Sequence, residues 1–82
     1  MSVVKSRIEI NPSELVITNE DIDMQVVGDM VSGLLAGTIK PEDLTVPYIT
    51  FVDGQGWCVN DGNHTIRALQ LAGITSIQAD TY

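Results

Sequence analysis

Along the first ten residues, Val4, Ser6, Ile8 and Ile10 alternate with Lys5, Arg7 and Glu9, a period of two that predicts a strand with one solvated face. Asn11-Pro12-Ser13 turns it. Thr18, with Asp21 three residues on, approximates a capping box. Ile22, Val26, Met30 and Leu34, joined by Val27, Val31 and Leu35, then recur at spacings of three and four. This stripe predicts a helix from about Glu20 to Ala36, with Met24 and Met30 in the core and Gly37 ending the helix. Pro41 to Leu44 reads as a short turn and Pro47 to Val52 as a strand, with Asp53-Gly54-Gln55-Gly56 as a hairpin loop into a strand from Trp57 to Asn60. After Asp61-Gly62, the residues Ile66, Leu69 and Ala72 recur at helical spacing until Gly73, and Ile74 to Asp80 returns as a strand.

The expected architecture is a single α+β domain over residues 1–82, in which two helices pack on a small mixed sheet that contains an antiparallel hairpin. Val4, Ile8, Ile10, Val26, Met30, Leu34, Ile66, Leu69 and Ile77 should meet in one core.

Charge narrows the functional field. Eleven Asp and Glu against four Lys and Arg give a net charge of −7, and only Lys5, Arg7, Lys40 and Arg67 could meet phosphates. A duplex-binding surface gathers more cations than this, so direct duplex DNA binding is not expected. The acidity serves solubility, or it docks the chain onto a basic protein surface. No apolar run reaches the roughly 20 residues that span a bilayer, the start lacks the pattern of a secretory signal, and one cysteine cannot build a disulfide framework. These features point to a cytoplasmic protein without membrane contact.

Candidate chemistry converges on residues 61 to 67. A helix beginning after Gly62 would present amides without internal partners at the positive end of its dipole, a place for phosphate or carboxylate. Gly62 would allow close approach, the amides of Asn63 to Thr65 would hold the anion, and His64 and Arg67, three residues apart, would add charge-assisted hydrogen bonds. Asp61 would oppose an anion unless paired with Arg67 or a cation. The structural alternative is that Asp61, Asn63 and Thr65 only cap the helix. One His, one Cys and scattered carboxylates lack zinc-ligand spacing. Cys58 reads as a buried inert thiol rather than the partner of His64, and Trp57 as packing.

The run Asp61-Gly62-Asn63-His64-Thr65-Ile66-Arg67-Ala68, closed by Leu71-Ala72-Gly73, resembles the core motif of the ParB/sulfiredoxin-like superfamily. ParB-type sequences read Gly-Glu-Arg-Arg, an apolar residue, Arg-Ala, then a helix ending Leu-Ala-Gly. Gly62, Arg67-Ala68 and Leu71-Ala72-Gly73 match, whereas Asn63, His64 and Thr65 replace Glu and two Arg. Sulfiredoxins carry Gly-Gly-Cys-His-Arg, which matches Gly62 and His64 but sets Asn63 at the nucleophilic cysteine, so sulfiredoxin chemistry is lost. The resemblance implies a small mixed domain whose strand, turn and helix hold nucleotide phosphates.

Two readings follow. In the first, the chain is a ligand-binding module for a nucleotide, with magnesium as its companion ion, or for another anionic small molecule at Asp61, Gly62, Asn63, His64, Thr65 and Arg67, without catalysis. With Thr65 in place of an Arg, hydrolysis of a triphosphate is not expected. In the second, it is an acidic interaction domain, an adaptor or inhibitor of the kind plasmids and phages encode, that keeps the fold but not the chemistry.

Overall fold

The computed structural model describes residues 6–18 and 21–81. Six main elements follow one another: β1 (Ser6–Ile10), α1 (Met24–Ala36), β2 (Tyr48–Val52), β3 (Gly56–Asp61), α2 (Asn63–Leu71) and β4 (Ile77–Thr81), with 3-10 turns at Pro12–Glu14 and Pro41–Asp43. The strands form one mixed sheet in the order β1-β4-β2-β3. β1 runs antiparallel to β4, β2 and β3 form the expected antiparallel hairpin, and β2 lies parallel to β4. This is a small α+β fold with two helices and a four-stranded mixed sheet.

The core follows from strand alternation. Ile10, Ile49, Val59, Ile77 and Ala79 turn one sheet face inward, and Ile66 and Leu69 of α2 cover it, with Leu15 closing one end. Ile8 and Leu34 pack against this cluster from partly buried positions. Val4 lies outside the described residues.

Helix α1 departs from expectation in two ways. It begins at Met24 rather than near residue 20, because Asp23 is its N-cap, the carboxylate accepting from the Gln25 amide at 2.9 Å. Thr18 is unavailable for that role, since its hydroxyl donates to the Val59 carbonyl at 2.6 Å. The helix is also rotated. Val27 is fully buried, whereas Val26 is 41% and Met24 55% exposed. The reason is packing: α1 leans mainly on α2 rather than on the sheet, so a narrower stripe suffices than its many apolar residues offer. Gly37 and Gly73 stand in left-handed conformation just past the two helices, as expected. The last strand starts three residues later than Ile74, because the α2 exit uses Ile74, whose amide donates back to the Leu69 carbonyl at 3.1 Å.

Candidate functional site

β3 delivers the chain to Asp61, Gly62 turns it at φ 97°, and α2 begins at Asn63. A Cβ on residue 62 would meet Pro47 Cβ at 3.1 Å, so the close approach that Gly62 permits is taken up by the protein's own Pro47. Helix α2 has no side-chain cap. Its first internal bond runs from the Ile66 amide to the Gly62 carbonyl at 2.9 Å, and among the described residues the amides of Asn63, His64 and Thr65 have no acceptor. The capping alternative for Asp61, Asn63 and Thr65 is therefore not what the chain adopts.

The side chains of this turn serve mostly as staples. Asn63 is buried, and its Oδ1 accepts from the Thr18 amide at 3.2 Å. His64 Nε2 accepts from the Asp23 amide at 2.9 Å, which ties the entry of α1 to the start of α2. An acceptor nitrogen carries no proton, so this contact uses the neutral ring. Arg67 Nη1 donates to Gln70 Oε1 at 3.2 Å, and the Gln70 amide donates in turn to the carbonyls of Pro12 and Leu15 at 2.9 and 3.1 Å. His64 and Arg67, expected to overlook an anion together, each hold one hydrogen bond within the chain, His64 with the entry of α1 and Arg67 with Gln70 of its own helix. Asp61 is exposed at the end of β3, and among the described residues no ion pair joins it to Arg67. No group of three His, Cys, Asp or Glu side chains that could hold a metal ion occurs among the described residues. Cys58 is buried, its Sγ 3.7 Å from Gln55 Oε1.

Thr65 points elsewhere. It is only 8% exposed, and with Leu69 it lines a cleft of about 440 Å³. Glu9 of β1, Glu42 and Pro47 of the 41–47 segment, and Gln78 of β4 also line it. Of the six turn residues, Thr65 alone faces this space. The Thr18, Asp23 and Gln70 contacts join positions 41 to 58 residues apart, beyond the reach of any local pattern.

Fold and turn together define the class: a small α+β domain built around a strand, a left-handed glycine and an uncapped helix. No protein-family model and no curated protein matches the sequence. No helix among the described residues is long and apolar enough to cross a membrane.

Proposed function

We propose that this protein is a small ParB/sulfiredoxin-like ligand-binding module that receives an anionic group at the first turn of α2 without catalysing a reaction. The observation that supports this reading most is the uncapped start of α2, where three consecutive amides lack acceptors among the described residues. Amides at the positive end of a helix bind phosphate or carboxylate without needing side-chain charge. That matters here, because His64 and Arg67 are engaged within the chain. The Gly62, Arg67-Ala68 and Leu71-Ala72-Gly73 resemblance points the same way. A nucleotide is the leading ligand class, its phosphate being the anchor.

The test is a ¹⁵N-resolved titration with inorganic phosphate and with ATP, with and without magnesium, alongside thermal unfolding. Saturable shifts at the Asn63, His64 and Thr65 amides and a raised melting temperature are expected. Unmoved amides in every titration defeat the reading.

One set of observations favours the second reading, an acidic interaction domain. The net charge is −7, and Asn63 and His64 of the turn hold hydrogen bonds within the chain. Phosphate-insensitive amides combined with salt-dependent capture of a basic protein would establish it.

A further inference from the structure

We infer that the cleft between β4 and the 44–47 segment is a cation site, built to take an alkylammonium or guanidinium group on an aliphatic stem. The inference goes beyond anion capture at α2 and does not depend on it.

The cleft arises from the sheet itself. β2 pairs with β4 only at Tyr48 with Asp80 and Ile49 with Thr81, and the Asp80 amide donates to the Pro47 carbonyl at 2.8 Å. Upstream of that bond the two segments part. Backbone groups alternate in direction along a strand, so Gln78, two residues before Asp80, turns its N–H and C=O to the same side, into the gap. No ladder partner meets them there among the described residues.

Carboxylates and hydroxyls line the gap. Glu9 and Glu42 bring two carboxylates. Arg7 also lines the cleft, but it is already paired with Asp80 at 2.9 Å. Among the described residues no ion pair reaches either Glu9 or Glu42. A second, independent feature marks the site as one for a ligand. Thr65 is more than nine-tenths buried and lines the cleft, and its hydroxyl makes no hydrogen bond among the described residues. No fully covered polar side-chain atom lacks a partner among those residues, so this hydroxyl opens onto the cleft. Leu69 and Ile77 provide apolar wall for a stem. A cation with an aliphatic stem matches this lining, whereas a phosphate would meet Glu9 and Glu42.

The same chemistry occurs in a free diamine or guanidine and in an arginine or lysine side chain of a basic partner. Agmatine and a blocked Gly-Arg-Gly peptide serve as the two probes, titrated into the whole chain by calorimetry and ¹⁵N shifts. Saturable binding is expected, with shifts at Thr65 and Gln78. The Glu9→Gln/Glu42→Gln variant, altered only at exposed positions, should bind at least about tenfold more weakly, the loss of charged hydrogen bonds. Asp29→Asn, on the exposed face of α1, should bind as the wild type does. Tighter binding of agmatine assigns the site to a free small cation, and tighter binding of the peptide to a partner's side chain. The proposal falls if neither probe saturates, or if Asp29→Asn weakens binding as much as the double variant, since general attraction would then explain it. Phosphate shifts at Asn63 and His64 are read separately, so failure of one site does not imply failure of the other.

Discussion

Arg7 of β1 grips Asp80 of β4 with both prongs of its guanidinium, Nε to Oδ1 at 2.9 Å and Nη2 to Oδ2 at 3.3 Å. The two residues face each other in the antiparallel register although 73 positions separate them in the chain. The pair is asymmetric: the Arg7 side chain is 51% exposed and that of Asp80 only 9%. Arg7 therefore lies over a carboxylate on an inner strand, where an uncompensated charge would be costly.

The hydrogen bond to Asp80, and then its Coulombic attraction, raise the Arg7 pKa above its ordinary value. A raised basic pKa contributes stability that is complete below the unfolded value and is lost only as pH climbs through the folded one. The melting-temperature deficit of Arg7→Gln relative to wild type should therefore be the same at about pH 7 and about pH 10, both far below the guanidinium range. It should shrink in high salt, because Arg7 is half in water. A deficit that vanishes by the higher pH would contradict the pairing.

Adjacent valines on α1 should behave oppositely. Val27→Ala removes fully buried methyl groups and is expected to cost about 1.5 to 3 kcal/mol, whereas Val26→Ala should stay within about 0.5 kcal/mol. Leu34→Ala, at a partly buried position, belongs between them. Urea unfolding midpoints rank the three, and equal effects at positions 26 and 27 would refute the helix orientation.

Gly62→Ala would force a side chain into left-handed backbone and against Pro47. A loss of about 1 to 3 kcal/mol is expected from strain and contact together. Since Pro47 carries the carbonyl that accepts from Asp80, weakened amide protection should reach β4 as well. Protection confined to unchanged values at Asp80 would show that the turn and the sheet are uncoupled.

If backbone amides hold the anion, Arg67→Ala should weaken phosphate binding by less than about 1 kcal/mol, well short of the roughly 1.5 to 3 kcal/mol of a direct charged hydrogen bond. Its main effect should be loosening of the 12–15 turn, through Gln70. His64→Ala should likewise speed hydrogen exchange at Asp23, whose amide the imidazole accepts. Full loss of phosphate binding in the Arg67 variant would return that residue to the site.

Cys58 is 4% exposed, and the Val16 chain segment lies alongside it as a parallel bridge. A thiol so placed should react with an aromatic disulfide reagent only at the rate of opening, and fully in denaturant. Fast labelling of the folded chain would instead mark a strand edge that opens readily.

Local chemistry alone determined much of this protein. Alternation at Ile8 and Ile10, the glycines at 37 and 73, and the apolar spacing of Ile66 and Leu69 placed strands, helix ends and the buried face of α2, since each depends on neighbours a few residues away. The same local logic singled out the 61–67 turn, whose helix does begin there with open amides. It did not reveal which contacts the turn's side chains make within the chain. His64 and Asn63 find their partners 41 and 45 residues earlier, contacts set by how α1 and the 15–18 segment lie against α2. The phase of α1 was ambiguous for a related reason: so many of its residues are apolar that only packing against α2 chose Val27 over Val26. The cleft was wholly hidden, because it exists where β2 and β4 cease to pair, and strand divergence is a property of the assembled sheet rather than of any segment within it.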